Sequence, residues 1–176
     1  TFVDISAIAP RVNVAKNEGF KTVITIRGVG YETNQNAIAT PSVSYHLDGI
    51  YIASPYSLQT EFMDLERIEV LRGPQGTLFG QNSTGGAINV ITSAPSLEES
   101  SSYGDITIGD YSLIKTRASF NRPLSETLAV RASFITHKRD GFTDNLSTGQ
   151  DLDDADSISA RVRSLYQPSE TFRANF

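Results

Sequence analysis

Short runs in which apolar and polar residues alternate make up much of the first half of the chain, and this period of two predicts β-strands. Glycine or Asp-Gly turns separate the runs, and Asp48-Gly49 is a strong hairpin signal. The predicted strands cover residues 23–27, 43–47, 50–52, 67–71 and 87–92.

The same half of the chain shows little helical periodicity. Residues 4–9 are predicted to form one helical turn that ends before Pro10, because a proline disfavours helix in the residue before it. Residues 62–65 are predicted to form a second short helix, and residues 31–41 a polar loop. Residues 1–97 are therefore predicted to be an α+β domain with little helix.

Alternation dominates from residue 98 onwards. It predicts antiparallel strands near residues 103–109, 112–122, 127–138 and 157–167. One face of these strands is apolar and the other is repeatedly cationic. The cationic positions of the polar face are Lys115, Arg117, Arg131, Arg161 and Arg163.

The connections between these strands differ in length. Residues 122–126 and 167–170 are tight turns, whereas residues 140–156 form a long polar loop. Strands of about ten residues with tight turns at one end and a long loop at the other are typical of outer-membrane barrels. A soluble sandwich with one wet face predicts the same alternation, so both architectures stay open at this point.

Composition excludes several classes of function. The chain has 176 residues, 39% of them hydrophobic, and a formal net charge of -5, which argues against a general binder of nucleic acid. Cysteine is absent, so disulfides and thiolate metal sites are excluded. No run of about 18 apolar residues is present, and no membrane-spanning helix is predicted.

Candidate chemistry is sparse. The glycine-rich residues 73–86 lack the Lys-Ser/Thr pair that completes a phosphate-binding loop. His46 and Asp48 share a strand face without a third ligand nearby, so His46 is interpreted as an ordinary strand residue. The acidic residues 151–156 lack the glycine and glutamate that a calcium loop requires at fixed positions. No catalytic residue, metal site or cofactor is predicted, and the chain is not predicted to be an enzyme.

Residues 65–92 carry the most specific motif, LERIEVLRGPQGTLFG followed directly by QNSTGGAINVIT. This stretch closely resembles the plug-domain signature of TonB-dependent outer-membrane receptors. IRG at 26–28 and VSYHLDGIY at 43–51 resemble two further plug segments, and YGD at 103–105 and RDGF at 139–142 resemble the first barrel strands. The resemblance covers essentially the whole chain and favours the barrel over the sandwich.

The resemblance implies a fold and a domain organisation. Residues 1–97 are expected to form an α+β plug domain with a small mixed sheet, and residues 98–176 antiparallel transmembrane β-barrel strands. Receptors of this family also have a signal peptide, a TonB-box and a barrel of about 22 strands. The sequence is therefore expected to be a fragment truncated at both ends, with an incomplete barrel.

The function implied by the resemblance is energised uptake of a scarce ligand, such as an iron-siderophore complex, by a receptor of the bacterial outer membrane. The plug would lie inside the barrel lumen and gate it. Implied partners are a TonB-type energy-transducing protein, acting through a TonB-box missing from this sequence, an extracellular small-molecule ligand and outer-membrane lipid. Neither nucleic acid nor a cofactor is implied. The alternative is a soluble or surface-attached β-rich ligand-binding module without transport activity.

The resemblance also assigns roles to residues. In the family, plug arginines pair with glutamates of the barrel wall, and the matching positions, Arg27 and Arg72, are predicted to form this plug–barrel lock. Capping of strand ends at a wet surface is the alternative role for both. The ligand-facing plug loops are predicted to present Glu32, Asn34, Gln35, Asn36 and Tyr56. The plug signature turns are predicted at Gly28, Asp48, Gly49, Gly73, Pro74, Gly76, Gly80, Gly85 and Gly86.

Overall fold

A computed structural model describes residues 5–17, 21–30, 41–53, 62–144 and 151–176 of the chain. Two compact units are present, which comprise residues 1–92 and residues 93–176. The domain boundary after residue 97 stays a prediction.

The first unit contains two small sheets and two four-residue helices. Its elements are α1 Ile5–Ile8, β1 Val12–Asn17, β2 Lys21–Ile26, β3 Val29–Gly30, β4 Val43–Leu47, β5 Ile50–Tyr51, β6 Leu65–Arg72, α2 Gly76–Phe79 and β7 Gly86–Thr92. Strands β1, β2 and β3 form an antiparallel sheet, and the other sheet has the order β5-β4-β7-β6. In the second sheet β4 and β7 are parallel and the outer pairings are antiparallel, so it is the predicted mixed sheet. Within the described ranges, no helix is long and apolar enough to cross a membrane.

The core of the first unit lies on one face of the mixed sheet. Tyr45 of β4 and Ile88 of β7 are register partners, so their side chains point to the same side of the sheet. The buried members of the cluster are Ile5, Val12, Val14, Ile24, Ile26, Val43, Tyr45, Ile88 and Val90. Each fully buried side chain of this size stabilises the fold by roughly 1.5–3 kcal/mol. Burial, with a smaller contribution from the Asp48 charge, raises the pKa of Tyr45 to about 12, so its phenol stays neutral.

The second unit is an antiparallel strand meander. Its elements are β8 Ser101–Gly109, β9 Leu113–Pro123, β10 Leu128–Arg139, β11 Thr143–Asp144, β12 Asp151–Leu152, β13 Ala155–Ser169 and β14 Phe172–Asn175. The main sheet has the order β14-β13-β10-β9-β8, so strands that follow one another lie side by side. The four predicted spans agree with β8, β9, β10 and β13 to within two residues at each end, which confirms them.

The two faces of this sheet differ in chemistry as the alternation predicted. On the polar face Arg131 lies opposite Arg163, and Lys115 opposite His137. On the other face Ile108 and Ile158 are each 78% exposed. Soluble proteins rarely expose contiguous apolar area of this kind, whereas strands that face lipid do.

The predicted helix at residues 62–65 is wrong. Residues 62–64 are not helical, and Leu65 is the first residue of β6. Asp64 has a φ of 53°, which a right-handed helix cannot accommodate, and Leu65 pairs with Thr92 of β7. The predicted turn at residues 4–9 is confirmed as α1.

Other elements were not predicted. β1 and β14 had no counterpart among the predicted strands, and β11 and β12 form a small two-stranded sheet inside the predicted long loop. β11, β12 and β14 have two to four residues and are too short for alternation to be recognised, whereas the six-residue β1 was simply missed. In the predicted loop 31–41, residues 31–40 lie outside the described residues.

Gly86 gives a test of the mixed sheet. An alanine Cβ there would collide with the Leu71 carbonyl oxygen and lie 2.9 Å from Ile26 Cδ1, at a φ of 147° that L residues rarely adopt. We expect Gly86→Ala to lower the free energy of unfolding by about 3 kcal/mol. Gly76→Ala is the matched control, because no atom lies within 4 Å of its added Cβ. Thermal unfolding in detergent compares the two variants, and equal melting temperatures would contradict the predicted close packing.

Candidate functional site

The Asp48-Gly49 turn is fixed to the far end of β7. Both residues have positive φ, 51° and 81°, as a tight two-residue hairpin requires. The Asp48 carboxylate accepts hydrogen bonds from the backbone N–H and the hydroxyl of Thr92, each 2.8 Å long. The Asp48 N–H donates to the Val90 carbonyl oxygen at 2.9 Å. The turn therefore holds the end of β7 at the edge where the first unit finishes.

A polar chain continues from this turn across the sheet. Asn89 Oδ1 accepts a long hydrogen bond from Gly49 N–H at 3.4 Å, and Asn89 Nδ2 donates to Glu69 Oε2 at 3.0 Å. Arg67 Nε donates to the other Glu69 oxygen at 2.8 Å, and Arg67 Nη1 pairs with the Glu66 carboxylate. The hydrogen bond from Arg67, followed by that from Asn89, lowers the pKa of Glu69 below its usual value. Folding therefore favours the ionised Glu69 carboxylate. The stability that these hydrogen bonds contribute to the folded state is present above pH 4.5 and is lost as the pH falls through the lowered pKa.

The glycine-rich residues 73–85, here called the glycine flap, fold back on themselves between β6 and β7. The Gly73 N–H donates to the Gly85 carbonyl at 3.2 Å, and the Gln75 N–H to the Ser83 carbonyl at 2.9 Å. The Gly85 N–H donates to the Ser42 carbonyl at 2.8 Å, which anchors the flap beside the start of β4. Gly73 and Gly80 have φ of 83° and 71°, so these signature positions need glycine.

The flap covers the side of the mixed sheet opposite the core. The Phe79 ring packs edge-on against His46 with centroids 4.8 Å apart, and the Tyr51 ring lies 5.5 Å from His46. Asn82 Nδ2 donates to the Tyr51 hydroxyl at 2.8 Å. His46 is only 4% exposed, and burial lowers its pKa, with a smaller opposing effect from the Gly49 backbone. His46 is thus a buried neutral residue rather than an ordinary half-exposed one.

The arginines of the predicted lock are accessible. Arg27 lies in the turn between β2 and β3 with a φ of 55°, and Arg72 ends β6 opposite Gly86. Both are exposed, and neither guanidinium forms an ion pair with another residue in the part of the chain that the structure describes. The structure therefore gives both charges room for a partner, and their role stays a prediction.

The predicted ligand-facing residues, Glu32, Asn34, Gln35, Asn36 and Tyr56, lie outside the described residues. No group of three or more His, Asp or Glu side chains that could hold a metal occurs in the described ranges.

In the second unit, polar side chains of β9 form hydrogen bonds with β8 and with the segment before it. Arg117 binds both carboxylate oxygens of Asp105, at 2.8 and 3.1 Å. Asn121 donates to the Ser96 carbonyl and accepts from the Ser96 N–H, at 3.0 and 2.9 Å. These contacts fix the segment that precedes β8 against β9.

The RDGF motif builds the base of the long loop. Arg139 Nη2 donates to the Asp153 carbonyl at 2.6 Å, and its guanidinium lies 4.9 Å from the centre of the Phe142 ring. Phe142 also packs against Tyr111, with centroids 5.9 Å apart. The motif thus ties two neighbouring connections together, because Tyr111 belongs to the turn between β8 and β9.

Comparison with known proteins identifies the architecture. Residues 1–87 match the family described as the TonB-dependent Receptor Plug Domain. The chain belongs to the TonB-dependent receptors. It is 33% identical over 150 residues to the pesticin receptors of Yersinia enterocolitica and Yersinia pestis, which covers 82% of this chain and 21% of theirs. It is 27% identical over 181 residues to the ferric enterobactin receptor PirA of Pseudomonas aeruginosa, which covers 90% of this chain and 24% of that protein.

Solved structures agree with the sequence comparison. The crystal structure of the ferric yersiniabactin uptake receptor FyuA from Yersinia pestis matches 94% of this chain and 26% of its own, with a TM-score of 0.79 and 26% identity. The siderophore receptor PiuA from Acinetobacter baumannii has the same fold over 99% of this chain and 23% of its own, with a TM-score of 0.75 at 19% identity. The chain thus spans between a fifth and a quarter of the length of the curated relatives it matches.

Membership of this family confirms the predicted fold class. The first unit is a plug with a mixed sheet, and the antiparallel strands of the second unit match the strands of solved receptors. The relatives that the chain matches are named as receptors and not as enzymes. The sandwich alternative is thereby set aside.

The Asp48 clamp can be tested directly. Asp48→Ala removes the carboxylate that accepts from the Thr92 N–H and hydroxyl, and it also removes a residue suited to positive φ. Because the Asp48 carboxylate is partly hydrated, we expect the free energy of unfolding to fall by about 1–2 kcal/mol. Asp48→Asn is the matched control, because its side-chain oxygen still accepts from the Thr92 N–H. Hydrogen exchange of the Thr92 amide should accelerate strongly in the alanine variant and little in the asparagine variant. Equal exchange in both would contradict the clamp.

Proposed function

We propose that this chain is the plug and the opening barrel strands of a receptor for energised uptake across the bacterial outer membrane. The ligand is a scarce extracellular small molecule such as an iron-siderophore complex, and the plug gates the lumen of the complete barrel. The observation that carries the proposal is the combination of a plug-family match over residues 1–87 with a following sheet that is apolar on one face and polar on the other.

The ligand class rests on the relatives. Their names specify ferric enterobactin, ferric yersiniabactin and a siderophore, and one group is named as pesticin receptors. We therefore assign iron chelates as the transported class for the receptor that contains this chain.

Energy for uptake is assigned to a TonB-type protein. Neither a nucleotide nor a redox cofactor is proposed, because the TonB-type protein supplies the driving force. It pulls on a segment of the receptor, and the plug rearranges in response. Outer-membrane lipid would contact the apolar face of the second unit, on which Ile106 and Val162 are each 69% exposed.

The proposed lock involves Arg27 and Arg72. Two exposed guanidiniums at the ends of β2 and β6 are available for carboxylates elsewhere in the receptor. Arg–carboxylate pairs are geometrically specific and can be broken without disturbing an apolar core. The ligand-facing role of Glu32, Asn34, Gln35, Asn36 and Tyr56 is proposed on the resemblance alone.

Uptake can be measured in cells. A strain that lacks the receptor gene and a strain in which it is restored are compared for accumulation of radioactive iron bound to chelators from the native culture medium. We expect accumulation only in the restored strain, and its loss when a protonophore collapses the inner-membrane gradient. The restored protein should fractionate with the outer membrane. Recovery in the soluble fraction without any uptake would refute the proposal in favour of a binding module without transport. Uptake that persists with the protonophore would refute energisation by the inner-membrane gradient.

The lock has its own test. Replacing both Arg27 and Arg72 with Ala in the complete receptor should accelerate hydrogen exchange throughout the plug while the barrel strands keep their protection. Breaking a partly buried pair leaves the other charge uncompensated and costs several kcal/mol, whereas a surface pair costs about 0–1 kcal/mol. Arg67→Ala is the matched control, because Arg67 pairs locally with Glu66 and Glu69. Unchanged plug exchange in the double variant would assign both arginines to ordinary strand ends.

A further inference from the structure

Buried polar atoms without partners lie beneath the glycine flap. Ser44 is fully buried and His46 is 4% exposed. The Ser44 hydroxyl and both ring nitrogens of His46 make no hydrogen bond of good geometry within the part of the chain that the structure describes. Buried polar groups in folded proteins are almost always paired, so this arrangement disfavours the closed position of the flap.

The tip of the flap is held by few contacts. Its side-chain attachments are the Asn82 hydrogen bond to Tyr51 and the packing of Phe79 on His46. Leu78, the neighbouring large apolar residue, is 73% exposed and contributes nothing to closure. The apolar contact that closes the flap is therefore made with a ring that can acquire a charge.

Glycines mark both sides of this tip. Gly73, Gly76 and Gly80 each have open space around the position of a Cβ, and Gly73 and Gly80 have the positive φ that glycine adopts readily. The hydrogen bonds that bind Gly73 to Gly85 and Gly85 to Ser42 lie at the base of the flap. The tip can thus lift while the base remains attached to the sheet.

We propose that the glycine flap is a lid over the polar face of the mixed sheet, and that protonation of His46 opens it. In the closed state the neutral imidazole lies between Phe79 and Tyr51 without access to water. A charged imidazolium would require hydration or a carboxylate, and lifting the tip exposes the ring to solvent. The opening also hydrates Ser44.

Among the residues that the structure describes, the surroundings of His46 provide no compensating charge. The flap itself contains no titratable or charged side chain, since residues 73–85 include none. From β5 the ring meets the phenol ring of Tyr51, and from β7 it lies in register with Asn89. Glu69 of β6 is already bound by Asn89 and Arg67, and Asp48 is bound by Thr92. Both nearby carboxylates are thus committed to other donors.

The direction of the pH dependence follows from the lowered pKa of His46. The open ring titrates near the ordinary value of 6.5, whereas the closed ring takes up its proton only at lower pH. The open state therefore binds more protons between these two values, and the closed state loses stability as the pH falls below about 6.5. A single proton changes the opening equilibrium by at most tenfold per pH unit.

Hydrogen exchange of flap amides in the purified receptor tests this lid between pH 8 and pH 5, after correction for intrinsic exchange rates. In the wild type we expect flap protection to fall several-fold in acid, by no more than tenfold per pH unit. His46→Phe keeps a ring against Phe79 but cannot titrate, so its flap protection should not depend on pH. His137→Gln removes the other histidine of the chain and should behave like the wild type.

Tyr51→Phe separates tethering from titration. Loss of the acceptor for Asn82 should raise flap exchange at every pH and leave its acid dependence intact. Should His46→Phe fail to fold, His46→Gln provides the same non-titrating comparison. The assay involves no ligand and no uptake, so its result is independent of the proposed function.

Three results would overturn the lid. One is a wild-type flap whose protection is constant from pH 8 to pH 5, and another is the same acid dependence in the His46 variants. The third is greater protection in acid, which would mean that the faces of Phe79 and Tyr51 stabilise the imidazolium through cation–π contacts.

Discussion

Strands β4 and β7 lie side by side and parallel at the centre of the mixed sheet, and the placement of the Asp48-Gly49 turn and of the glycine flap depends on this pairing. Parallel strands require a connection that returns to the starting edge, and here that crossover contains β5, β6 and the glycine flap. The carboxyl ends of both strands consequently meet at one edge, where Asp48 reaches Thr92. Their amino ends meet at the other edge, where the Gly85 N–H reaches the Ser42 carbonyl. One topological choice therefore explains two contacts between residues more than forty positions apart.

The second unit depends on a different constraint, which is that its two faces meet different environments. All nine Lys and Arg residues after residue 92 lie in strands, whereas most acidic residues of this unit lie in turns and loops. Two of the arginines in the strands are bound by acceptors of the same unit, Arg163 by the Ser93 carbonyl and Arg117 by Asp105. Arg131 and Arg163 are nevertheless direct cross-strand partners, an arrangement that repulsion between like charges disfavours. The polar face, with at least five of the nine cations, differs sharply from the exposed isoleucines on the other side.

The strands of the second unit were predictable from the sequence because alternation over nine or more residues is a long signal. The helix predicted at residues 62–65 failed because a local apolar cluster does not reveal the positive φ of Asp64 or the pairing of Leu65 with Thr92. Among the predicted signature turns, Gly28, Gly49, Gly73 and Gly80 have the positive φ typical of turn positions, whereas Gly76 begins α2 and Gly86 begins β7. The acceptor role of Asp48 was missed because it depends on a residue 44 positions away. The burial of His46 was missed because both faces of β4 are covered, and the cover over its polar face is a segment with no apolar periodicity.

Strong and weak attachments are separated along the crossover. Asp48 binds Thr92 through two hydrogen bonds of 2.8 Å that converge on one side chain. The flap tip instead relies on one neutral hydrogen bond and one ring contact above unpaired polar atoms. Local opening is expected where buried apolar contacts are few and backbone groups are exposed, so the tip should open long before the β4–β7 pair separates. A plug built this way can change shape at its polar face while its core sheet stays intact, because the two sets of contacts lie on opposite faces of the same strands.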